Sequence, residues 1–110
     1  MTTTNKETQE TQDTNQHVAT VFEYWVSKTW TGRGVYPVLS EKRRKLIQRC
    51  IKTYGFEAAL AVVDGAIASD WHTGSNPSGK RYLSIELLYR DAEHIESFVE
   101  NAEEANGEPF

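Results

Sequence analysis

Ser40-Glu41-Lys42-Arg43-Arg44-Lys45-Leu46-Ile47-Gln48-Arg49-Cys50-Ile51-Lys52-Thr53-Tyr54-Gly55-Phe56 decides the fold. Leu46, Ile47, Cys50, Ile51 and Tyr54 recur three and four residues apart, the spacing of one face of a helix. The Ser40 hydroxyl is placed to accept a backbone N–H of the first turn. Gly55 suits the left-handed position that ends such a helix. The same helix carries six cations (Lys42, Arg43, Arg44, Lys45, Arg49, Lys52) against one acid, Glu41. Like charges one turn apart repel, and cations in a first turn oppose the helix dipole. Local stability therefore does not account for them. They call for an anionic neighbour in the fold or an anionic partner outside it.

On the C-terminal side, Phe56, Ala59, Leu60, Val63 and Ile67 continue at helical intervals and predict a third helix directly after Gly55. Ala58, Ala61, Ala66 and Ala68 permit close neighbours. Gly65 costs about 1 kcal/mol against alanine in a helix interior, so it marks a close helix contact. On the N-terminal side, Val18, Val21, Phe22, Trp25 and Val26 predict a first helix over residues 18–30. Gly32, Gly34 and Pro37 then force a loop. Residues 70–82 read as a long loop of turn formers that also holds Trp71, His72, Lys80, Arg81 and Tyr82. Ile85, Leu88, Ala92, Ile95 and Val99 form the last stripe, with a break near Asp91, which is able to cap.

The prediction is an all-α fold: a small bundle of four or five helices behind a disordered N-terminal tail. Residues 1–17 have no apolar side chain after Met1, too little to offset backbone ordering. Residues 18–104 form the helical domain, and residues 105–110 a flexible C-terminus. No window approaches the about 18 uninterrupted apolar residues of a membrane span, and no signal or transit pattern opens the chain. Cys50 is the one cysteine, so an internal disulfide is excluded. It reads as a small buried thiol in a reducing, cytoplasmic compartment.

The 110-residue chain has a net charge of −4, but the charge is segregated. Residues 28–52 hold eight Lys/Arg and one acid, whereas residues 91–110 hold seven Asp/Glu and no Lys/Arg. Such a dipolar chain is unsuited to coating DNA along its whole surface, yet it allows a local basic face.

The order of motifs resembles a known family. Phe22 and Trp25 lead to Leu39-Ser40-Glu41-Lys42-Arg43-Arg44-Lys45-Leu46-Ile47. Then come Ala66-Ile67-Ala68-Ser69-Asp70-Trp71-His72-Thr73-Gly74 with Asn76, and Gly79-Lys80-Arg81-Tyr82. Last is Ile85-Glu86-Leu87-Leu88-Tyr89-Arg90-Asp91. Together they look like the helical domain at the C-terminus of many phage and prophage replication-initiation, or replisome-organiser, proteins. The resemblance spans residues 21–99. It implies a phage-linked protein of DNA replication that acts through DNA or a host or phage replication protein, with no cofactor. In the family this domain follows a winged-helix DNA-binding domain; here a short polar tail stands in that place. That departure favours an accessory over a stand-alone initiator, and raises an alternative: a phage-encoded adaptor or inhibitor that binds a host protein.

The expected nucleic-acid contacts are Lys42, Arg43, Arg44, Lys45, Arg49 and Lys52, extended by Lys80 and Arg81, through phosphate neutralisation and counterion release. The competing reading is a solvated face, or pairing with the acidic last helix. Trp71, His72 and Tyr82 offer stacking on bases, although Trp71 and Tyr82 are expected instead to pin the loop to the core. Trp30, Tyr36 and Phe110 belong to no stripe. They are expected to complete the core, or otherwise to touch another protein, with Trp30, Tyr36, Trp71 and His72 as the candidates. Glu86 and Asp91 are expected to pair with Arg90 or to serve helix ends. Asp70, His72, His94 and His17 match no metal-site spacing. No nucleophile motif, phosphate loop or carboxylate pair appears, so the chain reads as a non-enzyme.

Overall fold

Five helices make up the described part of the chain in a computed structural model. They are α1 (Thr2–Thr29), α2 (Glu41–Tyr54), α3 (Phe56–Ile67), α4 (Ile85–Leu88) and α5 (Ala92–Ala105). The structure describes residues 2–105, with side chains from residue 13 onward. Of the expected disordered tail over residues 1–17, residues 13–17 are instead part of α1, with the His17 ring stacked on Phe56 at 4.2 Å; the side chains before them, and the expected flexible C-terminus apart from Ala105, lie outside what is described. No glycine or proline interrupts the run from Thr2 to Thr29, so nothing stops α1 on the N-terminal side of the predicted start. Among the side chains described, Val18 is the first to be buried.

α3 is the centre. It packs against α1, α2 and α5, and its residues Ala59, Val62, Val63 and Ala66 are fully buried. A helix rich in alanine and valine on several faces is suited to being enclosed on several sides. α1 contributes Val18, Val21, Phe22, Trp25 and Val26, and α2 contributes Ile47 and Cys50. Ile85, Leu88, Tyr89, Ile95 and Phe98 close the other side.

Each expected punctuation mark appears. The Ser40 hydroxyl accepts the Arg43 N–H at 3.2 Å. Gly55 sits at φ 100° and donates its N–H to the Ile51 carbonyl, which ends α2 and lets α3 start one residue later. The break falls at Asp91, whose carboxylate accepts the His94 N–H at 2.9 Å and caps α5. That bond, with the His94 ring beside it, holds the Asp91 carboxyl below its ordinary range.

Gly65 is the close contact that its composition predicts. A Cβ there would fall inside the Phe98 carbonyl group of α5. The Asn101 side chain then donates to the Gly65 carbonyl at 2.7 Å, tying α5 to the end of α3.

Three polar tethers run through the core. The Trp25 indole N–H donates to the Leu83 carbonyl at 2.7 Å. The buried Tyr89 hydroxyl donates to the Ala59 carbonyl at 2.6 Å. The Tyr24 hydroxyl donates to the Asp64 carboxylate, which pushes the phenol up to about 12. Each gives a polar atom a partner where water is excluded or scarce.

Candidate functional site

The acidic last helix does not neutralise the basic one. α5 packs on α3 and α4, and among the described residues no ion pair joins an α2 cation to an α5 carboxylate. Among the described residues a hydrogen bond, from the Tyr54 hydroxyl to the Glu96 carboxylate, links the two helices without involving a cation. The charge segregated in the sequence is therefore not cancelled by direct pairing between these two helices.

The six α2 cations nevertheless divide into two groups. Arg43 turns inward. Its Nε donates to Glu86 at 3.1 Å, its Nη1 donates to the Val38 carbonyl at 2.9 Å, and its guanidinium lies 5.5 Å from the Trp25 ring centre. Glu86 therefore pairs with Arg43 rather than with Arg90. Arg49 reaches the α4–α5 corner, where Nη2 donates to the carbonyls of Tyr89 at 3.1 Å and Arg90 at 2.7 Å. Arg44 pairs with Glu41 at 3.0 Å on its own helix. These bonds account for the cations that the helix dipole disfavours at positions 43 and 44.

Lys42, Lys45 and Lys52 are exposed. With Arg49 they recur at steps of three, four and three, so they share one stripe of α2. That stripe is on the side away from buried Ile47 and Cys50. It runs about 15 Å along the helix at the α-helical rise. Burial pushes the Cys50 thiol behind it up to about 11.

Lys80 and Arg81 are exposed, but the structure does not place them in that stripe. Arg81 instead reaches the end of α1, with Nη1 3.4 Å from the Thr29 carbonyl. There it forms one wall of a cleft of about 290 Å³, together with Trp25, Trp30, Val35, Pro37 and Leu83.

The aromatic candidates are arranged differently from expectation. Trp30 and Tyr36 do not complete the core: they are 39 % and 54 % exposed and meet edge to face at 4.8 Å. Trp71 does not pin its loop. It is 49 % exposed and stacks on Tyr82 at 4.9 Å. His72 does the anchoring, edge-on to Phe98 at 4.9 Å, with Nδ1 2.7 Å from the Ser69 hydroxyl. The reason is local: the loop folds on itself through Asn76, whose amide donates to the carbonyls of Trp71 and Lys80, so Trp71 faces Tyr82. Phe110 lies outside the described residues.

Val35 and Val38 were not among the candidates, yet they are 90 % and 65 % exposed beside Trp30 and Tyr36. Their signal was weak, because an apolar residue in a loop is as suited to anchoring it as to facing water. Among the described residues no cluster of His, Cys, Asp and Glu is suited to a metal ion, and no helix is long and apolar enough to cross a membrane. No family model, curated protein or solved structure matches the chain.

Proposed function

We propose that this domain is a phage-type accessory of DNA replication that touches nucleic acid through the solvent-facing stripe of α2. The observation that carries the reading is the stripe itself: Lys42, Lys45 and Lys52, with Arg49 between them, exposed and unneutralised by the acidic helix. A ridge of about 15 Å faces several phosphates at the charge spacing of a duplex, about 1.7 Å of axis per charge. Arg43 belongs to the fold rather than to the contact. The resemblance of the motifs supplies the setting in replication, alongside a host or phage replication protein. Cytoplasmic action accords with a buried free thiol at Cys50. The domain works by binding and not by catalysis, with no cofactor.

The test is a titration of labelled single- and double-stranded DNA at low and moderate salt. Three phosphate contacts give a slope of log affinity on log salt of roughly −3. Replacing Lys42, Lys45 and Lys52 together with Gln removes most of the affinity and flattens the slope to about −1 or shallower, the share of Arg49. Equal binding by the parent and the triple variant, or no binding at low salt, overturns the reading.

A further inference from the structure

We propose that the cleft between the end of α1 and residues 81–84 docks an acidic segment of a partner protein through one bulky apolar side chain. Its floor is made by Trp25 and Leu83, both buried, and its lip by Trp30, Val35 and Pro37. Of the five large apolar side chains exposed among the described residues, Trp30 and Val35 line this cleft, and Tyr36 packs edge to face on Trp30. Exposed apolar surface gathered in one place marks an interaction site more often than scattered residues do.

Size decides the kind of occupant. At about 290 Å³ the cleft stands at the lower end of the roughly 300–1,000 Å³ of small-molecule sites. It takes one large side chain and little more. The aliphatic lining of Val35, Pro37 and Leu83 suits such a side chain better than the polar edges of a nucleobase.

Charge decides its neighbours. Among the described residues Arg81 is the one ionic side chain lining the cleft, and no carboxylate lines it. The Arg81 guanidinium spends one N–H on a long bond to Thr29, which leaves most of its five donors for a ligand. Lys80, next to Arg81 in sequence, and Arg33, between the lining residues Thr31 and Val35, are both exposed. A segment with Asp or Glu flanking its apolar anchor satisfies both the wall and the rim. No residue of the α2 stripe lines the cleft, so this surface stands independently of nucleic-acid contact.

The probe is a fluorescein-labelled, C-terminally amidated peptide, Asp-Asp-Phe-Asp-Asp, titrated with the whole chain and read by polarisation. Saturable binding is expected with a dissociation constant on the order of 10–100 µM. Trp30→Ala and Arg81→Glu each weaken it about tenfold or more, and so does replacing the peptide's Phe with Ala. Val35→Asp serves as the second variant, because a side chain 90 % exposed does not carry the fold. The Lys42, Lys45 and Lys52 triple variant binds the peptide as the parent does. Binding that ignores the Phe, that survives Val35→Asp, or that is absent at millimolar peptide overturns the proposal. It also fails if oligothymidine displaces the peptide, or if deleting residues 106–110 strengthens probe binding, since the natural occupant would then be a nucleic acid or this chain's own end.

Discussion

The Phe98 carbonyl occupies the space that a side chain on Gly65 would take. α3 and α5 therefore touch backbone to backbone, and the two helices that meet this way form the most extensive packing in the domain. A backbone group cannot swing aside as the end of a flexible side chain can.

Gly65→Ala is accordingly expected to destabilise the fold by about 2–3 kcal/mol, the scale of overpacking. In a helix exposed to solvent the same change stabilises by about 1 kcal/mol, so the sign itself is diagnostic. Urea denaturation measures it. A variant as stable as the parent would mean that α5 does not rest on α3 at this point.

Arg43 should behave as a structural residue. Its removal leaves Glu86 half-buried with one oxygen deprived of its cation and the other already without a partner among the described residues. Arg43→Met is expected to cost about 1–2 kcal/mol, between the values for exposed and buried pairs. Adding Glu86→Leu to it should restore part of that loss. In DNA titrations Arg43→Met should change affinity far less than Lys45→Gln. A larger loss for Arg43 would move that side chain into the contact.

What was legible in the sequence was local. Ser40, Gly55 and Asp91 act within one turn of where they stand, so their roles as cap, stop and break could be read directly. Gly65 was legible too, since its helix cost demands a compensation. The direction of the long cations was not. Arg43 finds Glu86, and Arg49 finds the carbonyls of Tyr89 and Arg90, partners about forty residues away that no periodicity announces. For the candidate site, the positive charge was therefore visible, but not which half of it the fold consumes. Trp25 lay on a stripe and is buried; Trp30 lay on none and is half-exposed, although small size alone argued for its burial.

His72 should make stability fall in mild acid. Burial against Phe98, and then the nearby His94, hold its imidazole below the ordinary value. The unfolded chain thus binds the proton more tightly than the folded one. The His72 contribution is complete above the unfolded value and is lost as pH falls through the folded one. Glu93, Glu100 and Glu104 line the clefts that His72 also lines. Proton NMR of the ring should show a midpoint below that of the denatured chain. A midpoint above it would contradict the burial.

Cys50 should be inert in the folded protein. With its thiol pushed up to about 11, about one molecule in a thousand carries the thiolate at pH 8, and the sulfur is fully buried. Reaction with a disulfide reagent should therefore proceed at the rate of unfolding and rise with denaturant. Rapid labelling without denaturant would show that α2 lifts away from α3.

Arg49 belongs to two surfaces at once. From the outer stripe of α2 it clasps the corner where α4 gives way to α5, and the carbonyls it grips have no other cation in reach among the described hydrogen bonds. A phosphate settling on that stripe would compete for the clasp. Occupancy on the positive side would then be felt as slackness on the negative side, and the two poles of this small molecule would communicate through a single guanidinium.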